Sequence, residues 1–269
     1  MTPGSSDPQG RGGAPLVFAH RGGGADRPEH TLDAYRQAID EGVDGLECDV
    51  RLTLDGHLVC IHDRRLNRTS NGRGPVSTST LAELTELDFG SWHVPHEGDA
   101  DPAEAGVLTL DALLEAVRGT GRPLRLLIET KHPTRYAGSV ERALADLLGR
   151  HGLTGGDANA TVHVTVMSFS MLALARMRAL APKLATAYLV DLLPPWSRTA
   201  RLPFGAQVFG PSVATLRARP HLVRHAHERG YAVYCWTVNK PTDLELVLEL
   251  GVDGVITDRP ASTLSRLQR

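Results

Sequence analysis

Short apolar runs alternate with amphipathic helical patterns along almost the whole chain, and this alternation is the feature that most constrains the fold. The runs predict strands at residues 16–19, 45–50, 57–61, 124–129, 162–167, 186–190, 206–209, 232–236 and 254–257. Helical patterns follow most of them, at residues 31–41, 110–117, 140–148, 171–180, 221–229 and 244–250. Strands that alternate with helices are typical of a parallel sheet. A chain of 269 residues, 41% of them hydrophobic, is long enough to close such a sheet into a single α/β barrel.

These strands are one more than an eight-stranded barrel needs. The runs at 45–50 and 57–61 are joined by Thr53-Leu54-Asp55-Gly56, and an Asp-Gly turn favours a hairpin over a helical crossover. Either one strand is wrongly predicted, or this pair forms an irregular unit.

The regular alternation stops between His62 and Leu110. Residues 66–75 are rich in turn formers, and residues 93–105 are polar with two prolines. We therefore predict one barrel domain, residues 15–269, with an inserted segment at about 64–108. Because the insertion follows a strand that ends at a histidine, it should lie at the barrel mouth, where loops usually set specificity. We predict no internal repeat and no second core.

Composition excludes several classes of protein. A formal net charge of -2 leaves no global basic field for nucleic acid or an anionic membrane. The chain has no apolar run of about 18 residues, so we predict no stable membrane insertion. Residues 1–14 are rich in Gly, Pro and Ser and predict a disordered leader without the apolar core of a signal peptide. We expect a cytoplasmic protein whose three cysteines, Cys48, Cys60 and Cys235, are reduced and buried. The sequence does not predict an oligomeric state.

Three acidic side chains lie at predicted strand ends. Glu47 and Asp49 are two residues apart on one strand, so both should face the barrel interior, and Glu129 ends another strand. Neighbouring buried carboxylates repel each other unless a shared proton, a basic neighbour or a bound cation relieves the repulsion. Oxygen ligands suit Mg²⁺ or Ca²⁺. The alternative is a set of salt bridges to nearby basic residues.

Two histidines and two basic residues complete the predicted site. His20 and His62 follow strands, and a pair of imidazoles can serve as general base and general acid, one removing a proton and the other supplying one. Arg21 precedes three glycines that allow the chain to turn, so its guanidinium could bind phosphate oxygens at the mouth. Lys131 lies two residues after Glu129 and offers a second positive charge to phosphate. Structural roles for the histidines, and a simple Glu-Lys ion pair, are the alternatives.

A series of ordered motifs resembles the glycerophosphodiester phosphodiesterase family over nearly the whole chain after the leader. The motifs are His20-Arg21-Gly22-Gly23, Glu29-His30-Thr31, Leu46-Glu47-Cys48-Asp49-Val50, Thr53-x-Asp55-Gly56, Val59-Cys60-Ile61-His62-Asp63, Leu66-x-Arg68-Thr69, Ile128-Glu129-x-Lys131, Cys235-Trp236-Thr237-Val238-Asn239 and Gly254-Val255-Ile256-Thr257-Asp258-x-Pro260. One position departs from the family pattern, which usually has Asn where this chain has His30. We therefore expect different hydrogen bonding from residue 30.

The resemblance implies a TIM-type (β/α)8 barrel that hydrolyses glycerophosphodiesters to glycerol 3-phosphate and an alcohol, with one divalent cation, Mg²⁺ or Ca²⁺. The implied site comprises catalytic His20 and His62, metal ligands Glu47, Asp49 and Glu129, phosphate-binding Arg21 and Lys131, and Trp236. In some family members the histidine that corresponds to His62 resembles a metal ligand. Trp236 would line the pocket against the glycerol or the leaving group, or simply pack in the core.

Three other functions fit parts of the pattern. A lysophospholipase D would need an exposed apolar groove near the mouth, for which the insertion supplies Leu81, Leu84, Leu87, Phe89 and Trp92. The three leucines have helical spacing, however, and are more simply one face of a small packed helix. A non-catalytic phosphate-binding barrel would be expected to lack a histidine or a carboxylate. Aldol or isomerase chemistry fits the fold but gives the two histidines no role.

Overall fold

The computed structural model describes residues 13–93, 105–155, 160–191 and 201–269. Most of the predicted leader, residues 1–14, lies outside the described residues. The same is true of residues 94–104, which form most of the polar stretch in the proposed insertion at about 64–108.

The strands of the described residues form one closed barrel with a single extra strand. They are β1 Leu16–His20, β2 Gly45–Leu52, β3 Leu58–Cys60, β4 Leu124–Thr130, β5 Val162–Ser168, β6 Ala185–Val190, β7 Val208–Pro211, β8 Ala232–Cys235 and β9 Gly254–Thr257. All strands except β3 pair in parallel with their neighbours, and β1 closes the barrel by pairing with both β2 and β9. The predicted TIM-type (β/α)8 barrel is confirmed.

The extra strand belongs to the hairpin that the Asp-Gly turn indicated. β3 runs antiparallel to the far end of β2, with Val50 opposite Cys60 and Leu52 opposite Leu58. The turn uses Gly56 at φ 86°, a left-handed conformation that costs glycine little. The irregular unit therefore adds a strand at the barrel mouth without adding one to the barrel wall.

Helices separate most of the strands. They are α1 Leu32–Asp40, α2 Leu81–Thr85, α3 Leu110–Arg118, α4 Ser139–Arg150, α5 Met171–Leu180, α6 Val213–Ala218, α7 His221–His227, α8 Pro241–Glu249 and α9 Pro260–Arg266. Hydroxyl side chains fix several starts, and Thr31, for example, accepts a hydrogen bond from the Ala34 amide. Sequence analysis missed α6 and α9, which are six and seven residues long, although it predicted α2 and α7, which are as short. Helices of this length show few repeats of an apolar stripe, so periodicity finds only some of them. No helix of the described residues is both long enough and apolar enough to cross a membrane.

The inserted segment packs on a small apolar cluster of its own, which the sequence analysis did not anticipate. Its buried members are Val59, Ile61, Leu66, Val76, Leu84 and Phe89. The leucine spacing did predict α2 correctly, and Thr80 and Glu83 form a capping box at its start. The described parts of the insertion, residues 64–93 and 105–108, are therefore folded at the barrel mouth.

A layer of apolar side chains fills the barrel interior and forms the floor of the mouth. Its members are Phe18, Leu127, Met167, Ala187, Leu189, Val208, Ala232, Tyr234 and Ile256. Side chains alternate along a strand, so the next inward residue after Phe18 is His20, and the next after Leu127 is Glu129. The polar residues therefore stand directly above this floor.

The start of β2 has room for glycine only. A Cβ on Gly45 would lie 2.6 Å from the Arg125 carbonyl oxygen and 2.7 Å from the Phe18 ring. We expect Gly45→Ala to lower the free energy of unfolding by about 1–3 kcal/mol, the usual cost of overpacking. Thermal unfolding measures it, with Gly106→Ala as control, because a Cβ on Gly106 meets nothing within 4 Å. Equal melting temperatures for the two variants would contradict this packing argument.

Candidate active site

A pocket opens at the carboxyl end of the barrel, between two chemically different walls. Its polar lining comes from β1 to β4 and the loops that follow them, and consists of His20, Arg21, Glu47, His62, Glu129 and Lys131. Its remaining lining comes from β5 onward and consists of Met167, Phe169, Leu189, Trp236, Thr237 and Ile256. Because the strands are arranged nearly in chain order, the charged residues collect on one side and the mostly apolar ones on the other.

Three carboxylates meet at the bottom of the polar wall. One oxygen each from Glu47, Asp49 and Glu129 lies within 4.8 Å of the others, and all three residues are buried. Burial, and next the charge of Asp49, raise the pKa of Glu47 well above its ordinary value. The same two causes raise the pKa of Glu129 to about 8. Burial opposes ionisation of Asp49 as well, but Lys131 and the His30 hydrogen bond hold its pKa well below the ordinary value.

Two basic side chains partly balance this cluster. Lys131 Nζ lies 2.8 Å from a Glu129 oxygen and 2.9 Å from Asp49 Oδ1. Arg21 Nε lies 3.1 Å from Asp49 Oδ2. The predicted alternative of salt bridges is thus present in the protein alone, yet among the described residues Arg21 and Lys131 are the only arginine or lysine side chains in ion pairs with the three carboxylates.

The donor set fits a hard divalent cation. The oxygens come from three buried carboxylates, and the buried Asp49 Oδ1, although close to Lys131, has no well-aligned hydrogen-bond donor. Mg²⁺ and Ca²⁺ prefer oxygen ligands, and a cation here would relieve the repulsion that raises two of the three pKa values. Glu47, Asp49 and Glu129 could therefore hold one such ion.

Each histidine of the pocket is oriented by a carboxylate. His20 Nδ1 is 2.6 Å from Asp258 Oδ1, and Asn239 Nδ2 donates to the other oxygen of Asp258 at 2.5 Å. His62 Nδ1 is 2.7 Å from Asp63 Oδ1. With Nδ1–H donating to an ionised carboxylate, Nε2 of each ring is left for proton exchange in the pocket.

The two Nε2 atoms have different surroundings. His20 Nε2 lies 3.9 Å from Glu47 Oε2, above the carboxylate cluster. His62 lies at the end of the hairpin, where burial and the charges of Lys131 and Arg21 lower its pKa to about 4. His62 is therefore neutral at neutral pH and has a free lone pair on Nε2.

Sequence reasoning assigned no role to the partners of these histidines. Asp258 and Asn239 stood inside recognised motifs, but nothing in the local pattern linked them to His20. The available signal was barrel closure: Asp258 follows β9, which pairs with β1, so Asp258 comes next to the end of the strand that carries His20. Asp63 directly follows His62 and could have been found from that spacing alone.

The turn after β1 brings Arg21 inward, as predicted, but it begins at Arg21 itself. Arg21 has φ 52°, and Gly22 and Gly23 follow with φ 87° and 90°. Its backbone amide donates to Glu47 Oε2 at 3.1 Å, and its Nη1 donates to Glu29 at 3.0 Å. A Cβ on Gly22 would lie 2.8 Å from Ala34 Cβ, so this turn also needs a residue without a side chain.

His30, where the family usually has Asn, lies buried behind the carboxylates. Its Nε2 donates to Asp49 Oδ2 at 2.9 Å, and its Nδ1 is 2.8 Å from the Tyr35 hydroxyl. Burial lowers the pKa of His30, which favours the neutral ring. His30 therefore places a hydrogen-bond donor on the central carboxylate.

Trp236 packs in the core and also lines the pocket, and a contact with the glycerol or the leaving group stays a prediction. Its indole Nε1 donates to the Gly210 carbonyl at 2.8 Å and the ring packs against the barrel floor. The ring also lines the pocket and meets Phe169 edge to face, with ring centroids 5.3 Å apart.

This combination of barrel and polar mouth matches a known family. Residues 20–262 match the family model described as the glycerophosphoryl diester phosphodiesterase family. The chain belongs to this family. Among its relatives, the Mycobacterium tuberculosis protein named "Probable glycerophosphodiester phosphodiesterase 1" is 46% identical over 95% of this chain and 93% of its own length. The Bacillus subtilis glycerophosphodiester phosphodiesterase is 34% identical over 91% of this chain and 84% of its own length.

A solved structure of the family is similar in fold and covers nearly the whole chain. The phosphodiesterase of Oleispira antarctica, in complex with the product sn-glycerol-3-phosphate, superposes with a TM-score of 0.80 at 27% identity. The match covers 95% of this chain and 97% of the Oleispira chain. The family assignment thus rests on sequence, and the fold agrees with it.

Proposed function

We propose that this protein hydrolyses glycerophosphodiesters to glycerol 3-phosphate and an alcohol, with a divalent cation and with His20 and His62 as the proton-transfer pair. One observation carries the proposal: two histidines, each with Nδ1 on a carboxylate, border one pocket that also contains a three-carboxylate cluster and two cationic side chains. Family membership and the product complex of the Oleispira relative support the substrate class.

The cation would be held by Glu47, Asp49 and Glu129. When bound, a divalent ion such as Mg²⁺ or Ca²⁺ withdraws electron density from a phosphate oxygen and stabilises the charge of the transition state. Arg21 and Lys131 border the same cluster and would share the remaining negative charge of the phosphate, Arg21 through its two-pronged guanidinium and Lys131 as a point charge.

The surroundings of the two histidines suggest how they divide the work. His62 is neutral at neutral pH because its pKa is about 4, so its Nε2 suits the general base that removes a proton from the attacking hydroxyl. That hydroxyl belongs to water or to the glycerol 2-position. His20, whose Nδ1 contacts the Asp258 carboxylate at 2.6 Å, would then protonate the leaving oxygen.

The apolar wall favours a second candidate activity with the same chemistry. Phe169, Met171 and Leu172 follow β5 with exposed side chains, and Phe169 also lines the pocket. These side chains could accept the acyl chain of a lysophospholipid, so lysophospholipase D activity is the second candidate.

Phe169, on the apolar wall of the pocket, should affect the affinity for substrate more than the rate of the chemical step. We expect Phe169→Ala to raise KM about 10-fold, because losing one good apolar contact costs about 1–3 kcal/mol, and to leave kcat nearly unchanged. Steady-state kinetics on glycerophosphocholine measure both constants. Leu180→Ala removes an exposed apolar side chain at the far end of α5, outside the pocket lining, and serves as the control. A fall in kcat without a change in KM would contradict this role of Phe169.

A substrate panel tests the proposed function directly. Purified protein is assayed on glycerophosphocholine, glycerophosphoethanolamine, glycerophosphoglycerol, glycerophosphoinositol and lysophosphatidylcholine, each with Mg²⁺, Ca²⁺ or EDTA. Cation-dependent release of glycerol 3-phosphate supports the proposal, and preferential turnover of the acylated substrate favours the second candidate. No turnover of any diester with either cation would refute both.

A single domain at 15–269 and a cytoplasmic location stay predictions of the sequence.

A further inference from the structure

The inserted segment contributes one side chain that reaches both ends of the polar wall. Arg68 makes two hydrogen bonds to Glu29, from Nη1 to Oε2 and from Nη2 to Oε1, each 2.7 Å long. It also donates to Asp63, from Nε at 2.9 Å and from Nη2 at 3.2 Å. The guanidinium carbon lies 5.9 Å from the ring centroid of Trp92, in the same segment.

Each of these carboxylates also contacts a residue of the proposed machinery. Glu29 Oε1 accepts a hydrogen bond from Arg21 Nη1 at 3.0 Å, and Asp63 Oδ1 lies 2.7 Å from His62 Nδ1. A continuous series of hydrogen bonds therefore runs from Arg21 through Glu29, Arg68 and Asp63 to His62. Arg68 is the middle of this series.

The two carboxylates that Arg68 contacts, Glu29 and Asp63, are ionised at neutral pH. Burial opposes ionisation of Glu29, but hydrogen bonds from Arg68 and the charge of Arg21 lower its pKa to about 2. The hydrogen bonds from Arg68 likewise lower the pKa of Asp63 to about 2. Hydrogen bonds between ionised groups are among the strongest in proteins and fix direction as well as distance.

We propose that Arg68 is a positioning residue, which holds Glu29 and Asp63 so that the Arg21 guanidinium and His62 Nε2 face the pocket together. This inference rests on the proposed function, because it gives Arg68 a task only if Arg21 and His62 act on a phosphodiester. Arg68 does not line the pocket and acts through its two partners. The planar guanidinium, with five N–H donors, can grip two carboxylates at once, which an ammonium does poorly.

Kinetics of Arg68→Met and Arg68→Lys test the proposal. We expect Arg68→Met to lower kcat about 10- to 100-fold, because a misplacement of about 1 Å in a reacting group costs about 10²-fold, and to raise KM as Arg21 loses its position. Arg68→Lys should recover part of kcat, since one carboxylate keeps a cationic partner. The lysine variant also keeps the test available if the methionine variant fails to fold.

The matched control is Arg217→Met. Arg217 is also an exposed arginine paired with a carboxylate, with Nη2 2.5 Å from Asp243 Oδ1, but the pair joins α6 to α8 and neither residue lines the pocket. We expect wild-type kcat and KM in this variant.

Two further measurements separate positioning from mere support of the fold. In Arg68→Met the guanidinium beside Asp63 is gone, which favours the imidazolium of His62 and raises its pKa. The acidic limb of the kcat/KM profile should therefore move to higher pH. The loss of kcat/KM in the double variant Asp63→Asn with Arg68→Met should be far smaller than the product of the two single losses, because both changes break the same series of hydrogen bonds.

Wild-type kcat, KM and pH profile in Arg68→Met would overturn the proposal, and so would strictly multiplicative losses in the double variant. Failure of the proposed function looks different, because wild-type protein would then hydrolyse no diester in the panel. An active wild type with an insensitive Arg68 thus rejects only the positioning role.

Discussion

Alanine at His20 or at His62 is expected to lower kcat for glycerophosphocholine hydrolysis by about 10²- to 10⁴-fold, the usual contribution of a general acid or base. Each imidazole has Nδ1 on a carboxylate and Nε2 available to the pocket. KM should change less than kcat, because Arg21 and Lys131 remain to bind the phosphate. Steady-state kinetics under saturating cation measure both constants.

The control is a histidine with the same kind of partner at another place in the barrel. His227 Nε2 lies 2.8 Å from Asp253 Oδ2, between the end of α7 and the start of β9. We expect His227→Ala to keep wild-type kcat. The double variant of His20 and His62 should be little worse than the poorer single variant, because residues that act as a unit are not additive. Near wild-type turnover in both single variants would reject the proposed proton transfers.

Chelation of divalent cations with EDTA is expected to abolish turnover, and Mg²⁺ or Ca²⁺ should restore it. The same ion should stabilise the fold, because it binds the three assembled carboxylates and not the unfolded chain. At 100 times its dissociation constant, a ligand adds about 2.7 kcal/mol to the free energy of unfolding. Thermal unfolding and titration calorimetry therefore report binding without any assay of activity.

Glu129→Gln is the matched variant for this prediction. It removes one of the three carboxylates and keeps the size of the side chain, so we expect it to lose both turnover and the cation-dependent rise in melting temperature. Full turnover in EDTA, or an unchanged response of Glu129→Gln to the cation, would contradict a metal site here.

The stability of the cation-free protein should also depend on pH in a defined direction. The pKa of Glu129 is about 8 in the folded protein against an ordinary value of 4.5, so between these two pH values the folded state holds a proton that the unfolded state has lost. Stability should therefore fall as pH rises through this window. The fall should be smaller in Glu129→Gln and in wild type with saturating cation. Identical slopes in wild type and variant would contradict the raised pKa.

Local sequence rules located most of the site because strands have a simple geometry. Glu47 and Asp49 share a face of β2 by the two-residue period alone, and His20 and Glu129 end apolar runs whose carboxyl ends meet at one mouth. The hairpin after β2 was readable from its Asp-Gly turn for the same reason. These features depend on residues only a few positions apart, so they can be predicted directly from the sequence.

Contacts between distant segments were out of reach of such rules. Asp258 meets His20 across 238 positions because β9 closes the barrel against β1, and Arg68 meets Glu29 across 39 positions because the insertion folds back over the mouth. The motif that contains His30 was recognised, but its hydrogen bond to Asp49 was not predictable from its neighbours.

The sequence by itself determined the barrel and the residues at its mouth, because strand period and turn chemistry act over a few residues. Its ordered motifs, by their resemblance, indicated the family to which the chain belongs. Only the tertiary structure decided which carboxylate orients which histidine, how Arg21 and Lys131 balance the acidic cluster, and which side chains are buried deeply enough to shift their pKa. Those properties depend on distances of about 3 Å between segments far apart in the chain, where hydrogen bonding and charge are strongest.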